Sequence, residues 1–133
     1  MPNKKTIGIT GAGGALGKAL TKKFSSYGHK IIGFTHNKNP QELNDEGPIE
    51  WIYWECGKEF LIEDSLSKID ILILNHGIYD FKQDLEKSIE INASSKIKIL
   101  NLFEKISLSQ SIESSPKEIW INTSEAEILP ALN

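Results

Sequence analysis

The sequence predicts a three-layer α/β/α domain, in which a parallel sheet lies between two layers of helices. Short apolar, β-prone segments alternate along the chain with segments whose apolar residues recur at helical spacing. Residues 70–74 (DILIL) are apolar without a break, which is typical of a strand that is covered on both faces. From this alternation we expect about five parallel strands in the order 3-2-1-4-5.

The first half of the chain supplies three of these strands and one helix. Residues 6–10 form a β-prone run that ends in glycines, and a helix follows until Gly28 stops it. The expected apolar face of this helix comprises Ala15, Leu16, Ala19, Leu20 and Phe24. Residues 30–35 and 49–55 are the second and third predicted strands, and a polar loop lies between them.

The second half repeats the pattern. Residues 58–68 predict a short helix, residues 70–74 the fourth strand, and residues 118–123 the fifth. A long helix is expected between the last two, over residues 84–106. Its expected apolar face comprises Leu85, Ile89, Ala93, Ile97 and Leu100, widened by Leu102, Phe103 and Ile106.

Composition and charge exclude several classes of protein. The 133 residues fit one domain, and 15 Lys and Arg against 18 Asp and Glu leave a formal charge of −3. This balance argues against nucleic acid or an anionic membrane as the main partner. The single cysteine, Cys56, favours a reducing compartment, and no apolar run approaches the ~20 residues of a membrane helix. The N-terminal residues lack a signal-peptide pattern, so we expect a cytoplasmic domain.

A glycine-rich segment, TGAGGALG, follows the first strand directly and opens the first helix. Gly11 permits a sharp turn, Gly13 and Gly14 permit close approach of a pyrophosphate, and Gly17 permits close packing of the helix on the sheet. The free N–H groups at the start of the helix then face the phosphates. We expect Gly11, Gly13, Gly14, Leu16 and Gly17 to bind a dinucleotide. The alternative is a glycine turn that only connects strand to helix.

This segment resembles the glycine motif of the short-chain dehydrogenase/reductase family, TGxxxGxG, although Ala15 stands at the middle glycine. It also fits TGxxGxxG, the form found in the extended, nucleotide-sugar branch of that family. A second segment, DILILNHGI, resembles the reductase-branch motif D-x-L-V-N-N-A-G-I: Asn75 and Gly77 match, whereas Leu74 and His76 depart from it. The resemblance implies a Rossmann-type fold whose second motif stabilises the central sheet and lines the ribose on the nicotinamide side.

Three further residues have expected roles. The resemblance implies those of Asn92 and Ser124, and the residue type suggests that of His76. Asn92 corresponds to an active-site asparagine that holds a water in the family's proton relay; a buried asparagine satisfied by backbone is the alternative. Ser124 corresponds to the serine that hydrogen-bonds the substrate carbonyl or hydroxyl; ordinary turn chemistry is the alternative. His76 is expected to be a loop histidine, with a titratable group beside the pocket as the alternative.

The family's catalytic Tyr-x-x-x-Lys pair is missing from these residues. Four positions beyond Tyr27, Tyr53 and Tyr79 the chain has Ile31, Gly57 and Gln83, none of them lysine. In the family the tyrosine follows the serine by a short stretch, and the sequence ends nine residues after Ser124. We therefore expect a cofactor-binding part of the fold, incomplete relative to the whole family fold and inactive alone.

The end of the second strand bears on the choice of nucleotide. NAD-specific sites usually carry a carboxylate there, and this chain has none before Glu42. Thr35, Asn37 and Lys38 are instead expected to receive a 2′-phosphate, which favours NADP, with NAD as the alternative. Glu55, at the end of the third strand, corresponds to the family acid that contacts the adenine edge.

The sequence thus predicts an NAD(P)-binding Rossmann domain from a reductase that transfers hydride between nicotinamide and a small carbonyl or alcohol substrate. A non-catalytic dinucleotide sensor and a structural protein that has lost the ligand are the alternatives. The apolar long helix and the fifth strand favour a homo-oligomer.

Overall fold

The fold is seen in a computed structural model, which describes residues 3–37, 50–77, 85–110 and 116–122. Its centre is a single sheet of five parallel strands in the order β3-β2-β1-β4-β5, as the sequence predicts. The strands are β1 (Thr6–Thr10), β2 (Lys30–Thr35), β3 (Glu50–Tyr53), β4 (Ile71–Leu74) and β5 (Glu118–Ile121). The order reverses between β1 and β4, so a crevice opens at their carboxyl ends.

The helices connect successive strands. Helix α1 (Ala15–Ser26) joins β1 to β2, and a 3₁₀ turn (Glu59–Ile62) leads into the short helix α2 (Glu63–Leu66) before β4. The long helix before β5 consists of three consecutive parts: α3 (Leu85–Ile89), a π-helical segment (Glu90–Ser94) and α4 (Ser95–Ser109). No helix within the described ranges is long and apolar enough to cross a membrane.

The core is divided between the two faces of the sheet. On one face, Ile7, Ile9 and Ile31 pack with Leu20 and Phe24 of α1. The other face carries the larger cluster, in which side chains of β2 and β4 meet α2 and α4; its fully buried members include Phe34, Leu66, Leu72, Ile99 and Phe103. Burial on both faces explains why β4 is apolar without a break.

The face that α1 buries differs from the expected one. Gly17 and Thr21 are buried and Leu20 and Phe24 half-buried, whereas Ala15, Leu16 and Ala19 are exposed. Gly17 lies against the backbone of Gly11 and Ala12, in the turn that follows β1. Because α1 packs through this position, Gly17 and Thr21 are on its buried side. The hydroxyl of Thr21 is satisfied by the Gly17 carbonyl oxygen over 2.8 Å.

The expected face of the long helix is confirmed in its second half and wrong in its first. Phe103 is buried, and Leu100, Leu102 and Ile106 pack against the core, as predicted. Leu85, Ile89, Ala93 and Ile97 are exposed, whereas Ser95 and Ile99 are buried instead. Because a π-helical turn holds more residues than an α-helical turn, the segment Glu90–Ser94 shifts the phase of the helix. A constant period of 3.6 residues therefore does not place the residues before and after this segment on the same face.

Candidate functional site

Two glycines after β1 are required by the backbone itself. Gly11 has φ +66°, a left-handed conformation, and a Cβ there would lie 3.1 Å from the Cα of His76. A Cβ on Gly17 would overlap the Gly11 carbonyl oxygen and the backbone of Ala12. These two residues therefore shape the turn and let α1 pack on the sheet, as their positions predict.

Gly14 has no such structural reason to be glycine. Its φ of −80° suits any residue, and a Cβ there would have only the Gly11 carbonyl oxygen nearby, at 3.5 Å. Gly14 caps the N-terminus of α1 without a side-chain hydrogen bond, and the first turn carries no acidic residue. The helix therefore presents uncovered N–H groups and its positive dipole end beside an open position, where a phosphate fits.

A cleft of about 800 Å³ lies at this end of the sheet, between the start of α1, the strand ends and the start of the long helix. The predicted residues that line it are Gly11, Gly14, Leu16, Glu55, Asn75 and Gly77. Gly13, Gly17, Thr35 and Asn37 are not among its lining residues. Lys38 and Ser124 lie outside the described residues, so their roles stay predictions.

At the end of β2, the Thr35 side chain is buried and its hydroxyl oxygen accepts a hydrogen bond from the backbone N–H of Asn37 over 3.1 Å. Thr35 therefore shapes the turn after β2. The neighbouring His36 is exposed and lines the cleft.

At the end of β3, the carboxylate of Glu55 has partners within the chain. One oxygen accepts a hydrogen bond from the Tyr53 hydroxyl over 3.0 Å, and the other forms an ion pair with Lys58. The hydrogen bonds to Glu55 raise the pKa of both Tyr53 and Lys58. Tyr53 and Glu55 line the cleft together, at the place expected for an adenine contact.

Asn75 joins three strand ends. Its backbone N–H donates to the Thr10 hydroxyl over 2.9 Å, and its side-chain N–H donates to the Gly11 carbonyl oxygen over 3.5 Å. Its side-chain oxygen accepts a hydrogen bond from the side-chain amide of Asn122 over 3.0 Å. Asn75 is thus fixed between β1 and β5 and faces the cleft.

The sequence predicts that His76 is a loop histidine. It lies in the loop after β4 and is buried at the floor of the cleft. Its Nδ1 lies 2.8 Å from the Thr10 hydroxyl and its Nε2 lies 2.6 Å from the Ser95 hydroxyl. The Trp54 ring meets it edge-on, with centroids 5.1 Å apart. Burial, and to a lesser degree the charge of Lys96, lowers the pKa of His76 to about 4, so the ring is neutral at physiological pH.

Asn92 lies in the π-helical segment, and its side-chain oxygen would be 3.0 Å from a Cβ on Gly77. Gly77 therefore gives the Asn92 amide room beside the loop that follows β4. The structure brings Asn92 close to Gly77 at the edge of the cleft, and its part in a proton relay stays a prediction.

Several cleft residues were missed from the sequence: Trp54, Cys56 and Asn122. The signal for Asn122 was present, since it follows β5 just as Asn75 follows β4, and parallel strand ends meet at one edge. Cys56 lies a short distance beyond the end of β3, after Trp54 and Glu55. Burial raises the pKa of its thiol, while a hydrogen bond from Ser95 acts in the opposite direction.

The described residues fit a bound dinucleotide. The open position at Gly14 and the first turn of α1 suit the pyrophosphate, and the ends of β2 and β3 suit the adenosine half. Asn75 and Gly77 stand on the other side of the switch point, where the nicotinamide half would lie.

Solved structures share this fold. Serine dehydrogenase from Escherichia coli superimposes with a TM-score of 0.78 over 95% of this chain and 64% of its own, at 23% identity. The Bordetella bronchiseptica enzyme WbmH, solved in complex with NAD+, superimposes with a TM-score of 0.66 over 78% of this chain and 36% of its own, at 16% identity.

A curated relative is more similar in sequence. Monoglucosyldiacylglycerol epimerase from Synechocystis sp. is 34% identical over 138 aligned positions, which cover 97% of this chain and 33% of the relative. The chain therefore spans about a third of that protein's length. The family profile described as NAD dependent epimerase/dehydratase matches residues 7–124. With this match and its parallel sheet in the order β3-β2-β1-β4-β5, the chain belongs to the NAD dependent epimerase/dehydratase family.

Proposed function

We propose that this chain is the dinucleotide-binding part of an enzyme that transfers hydride between a nicotinamide and a carbonyl or alcohol carbon. The observation that carries the proposal is Gly14, the N-cap residue of α1, which faces the cleft and which none of the described residues requires to be glycine. A position kept open beside free N–H groups is what close approach of a pyrophosphate needs.

The residues of this chain bind and orient, and the hydride chemistry comes from the cofactor. When bound, a nicotinamide accepts hydride from, or returns it to, a carbon that carries the reacting oxygen. The α1 N-terminus would hold the phosphates, and Asn75 would fix the loop beside the nicotinamide half. Asn92 would support a proton relay and Ser124 would orient the substrate oxygen, both by resemblance to the family.

The curated relative, whose name states that it is an epimerase, supports a proposal for the reaction class. Removal of hydride from a hydroxyl-bearing carbon, followed by its return to the opposite face, inverts that carbon with no net oxidation. We propose this class, with a secondary alcohol of a sugar as the substrate group. No lysine follows a tyrosine at the fourth position in these 133 residues, so we expect no turnover from this chain alone.

For the cofactor itself we propose a preference for NADP over NAD. In the turn after β2, His36 lines the cleft and Lys38 follows it in the sequence, and no carboxylate that would repel a 2′-phosphate precedes Glu42. NAD is the alternative, supported by the family's description and by the NAD+ bound in WbmH.

A second candidate function is a non-catalytic dinucleotide sensor, which the missing Tyr-x-x-x-Lys pair favours. One measurement distinguishes the sensor from the enzyme. A longer chain from the same gene that carries the pair and turns over an alcohol would decide for the enzyme.

Fluorescence titration tests the binding that both candidates share. Trp54 is buried in the wall of the cleft, so energy transfer from tryptophan to a bound reduced nicotinamide reports occupancy. We expect saturable transfer with NADPH and NADH, and its loss in Gly14→Val. A folded chain that shows no transfer and no binding heat with either nucleotide would contradict the proposal.

A further inference from the structure

His76 lies under the loop that follows β4 and is only 9% exposed. The family motif that this loop resembles has alanine at that position and asparagine at the position of Leu74. In this chain Leu74 is fully buried and apolar, and a buried imidazole occupies the position after Asn75. His76 therefore adds a buried polar connection between this loop and β1, beside the hydrogen bonds of Asn75.

The hydrogen bonds around Thr10 determine which ring nitrogen of His76 carries the proton. The Thr10 oxygen accepts from the backbone N–H groups of Asn75 and His76, over 2.9 and 3.2 Å. A hydroxyl oxygen has two acceptor positions and a single proton to donate. Nδ1 of His76, at 2.8 Å, is a nearer acceptor for that proton than the Ile73 carbonyl oxygen, at 3.4 Å.

The proton of the neutral ring is therefore on Nε2, which donates to the Ser95 hydroxyl over 2.6 Å. Ser95 is itself fully buried on α4 and hydrogen-bonds the Cys56 thiol. A continuous hydrogen-bonded chain thus runs from Thr10 at the end of β1, through His76, to Ser95 on the long helix. Every step of it has a defined donor and acceptor.

We propose that His76 is a positioning residue of the dinucleotide site: its Nε2–H form joins Thr10 to Ser95 and so fixes residues 75–77 beside the cleft. This role rests on the proposed function, since residues 75–77 are the part of the site expected to face the nicotinamide half. A proton added to Nδ1 would place a third donor against a Thr10 oxygen whose two acceptor positions are occupied. Acidification therefore breaks the Thr10–His76 hydrogen bond and weakens dinucleotide binding.

One charged group acts directly on the His76 ring. Lys96, on α4, opposes a positive charge on the ring. Cys56 lies beyond Ser95 on the connection after β3, and the charges of Glu59 and Glu90 act on its thiol. The neutral form of His76 is thus favoured by burial and by Lys96 together, and its pKa stays well below that of a free imidazole.

Calorimetric titration with NAD+ near neutral pH tests the role of His76. We expect His76→Ala to weaken binding by about tenfold or more, because both hydrogen bonds of the ring are lost. His76→Asn places an oxygen where Nδ1 stood, keeps an acceptor for Thr10, and should bind within about threefold of wild type. The control is His29→Ala: His29 accepts a hydrogen bond from the Lys5 backbone over 3.0 Å at the opposite end of the sheet, and its loss should leave affinity unchanged.

The pH profile and the tautomer distinguish positioning from mere structural support. Wild-type affinity should fall as the pH approaches the His76 pKa of about 4, whereas His76→Asn should show no such fall. In ¹⁵N NMR spectra of the imidazole, we expect the Nε2–H form of His76 throughout the neutral range. This measurement needs no variant, so it decides even if His76→Ala does not fold.

The failures of the two proposals are separable. A folded wild-type chain that binds neither NAD+ nor NADP+ contradicts the proposed function. Binding by wild type with equal affinity in a folded His76→Ala, or an Nδ1–H tautomer in the wild type, overturns only the role of His76.

Discussion

The side-chain amide of Asn122 donates a hydrogen bond to the side-chain oxygen of Asn75 over 3.0 Å, and so links the carboxyl ends of β5 and β4. Both residues line the cleft. The backbone places them side by side, because Leu74 pairs with Ile121 and the Asn122 backbone N–H donates to the Leu74 carbonyl oxygen over 3.1 Å. The strand register thus holds in place a side chain that lines the cleft.

Asn122→Ala should therefore weaken dinucleotide binding more than it weakens the fold. The lost bond is between neutral groups and partly exposed, so we expect about 1 kcal/mol, or about a fivefold rise in Kd. Calorimetric titration measures the affinity and urea denaturation the stability. Asn101→Ala, at an exposed position on α4, is the matched control. Equal affinity in the two variants would mean that Asn122 does not hold Asn75 for a ligand.

The glycine turn gives a second matched pair. A side chain on Gly14 meets open space, so Gly14→Val should fold, with a loss of about 1 kcal/mol from poorer helix capping, yet bind dinucleotide at least about tenfold more weakly. A Cβ on Gly17 overlaps the backbone, so Gly17→Ala should lose about 3 kcal/mol of stability. Thermal denaturation and fluorescence titration of both variants test this division. Unchanged binding in Gly14→Val would show that the open position serves no ligand.

The sheet could be predicted from the sequence because its signals are local. Each buried strand is a short apolar run bounded by glycine or polar residues, and alternation with helices dictates parallel pairing. The helix faces could be predicted only in part. Helix α1 packs through Gly17, which lies against the backbone of Gly11 and Ala12. The long helix contains the π-helical segment Glu90–Ser94, which interrupts its period.

The candidate site also has residues that the sequence predicts and residues that it does not. Gly11, Gly14 and Asn75 follow strand ends, and the topology alone brings strand ends together. The role of His76 was not predictable, because its partners Thr10 and Ser95 are 66 and 19 residues away along the chain. Their approach depends on how α4 packs on the sheet, which a single sequence does not specify. A buried polar network of this kind becomes visible only in three dimensions.

His76 also predicts how stability depends on pH. Its pKa is about 4 in the folded chain, below the value of 6.5 for a free imidazole, so between these values the unfolded chain binds a proton that the folded chain does not. The free energy of unfolding should therefore be greatest above about pH 6.5 and fall by up to about 3 kcal/mol as the pH drops to about 4. Urea denaturation across this window measures the slope. His76→Asn, which cannot titrate, should lack this part of it, and an equal slope in both proteins would contradict the assignment.

The turn after β2 predicts a preference between the two nicotinamide cofactors. We expect the chain to bind NADPH more tightly than NADH, because no carboxylate lies between Thr35 and Glu42. A 2′-phosphate would gain a charge-assisted contact of about 1.5–3 kcal/mol. Parallel calorimetric titrations measure the difference. Lys38→Ala should reduce the NADPH affinity and leave the NADH affinity unchanged. Equal affinities for the two cofactors, or a Lys38→Ala variant unchanged toward NADPH, would remove the argument.

The start of the long helix exposes apolar side chains that predict self-association. Leu85 is 74% exposed, Ile89 50% and Ile97 56%, and at the edge of the sheet Trp120 of β5 is 44% exposed. Large exposed apolar side chains favour association between chains, and an edge strand can pair with another chain. We therefore expect dimers or larger species in a light-scattering series over a range of concentrations.

Charged substitutions distinguish the helix face from the strand edge as the contact. Ile89→Glu and Ile97→Glu together should shift the protein toward monomer. The free energy needed to bury two carboxylates in an apolar interface exceeds the free energy gained from the contact. Ala19→Glu introduces the same charge at an exposed position of α1 and should leave association unchanged. If the double variant associates as wild type does, Trp120→Glu tests the β5 edge in the same assay. A wild-type protein that stays monomeric at the highest concentration would show that neither surface is a contact between copies of this chain.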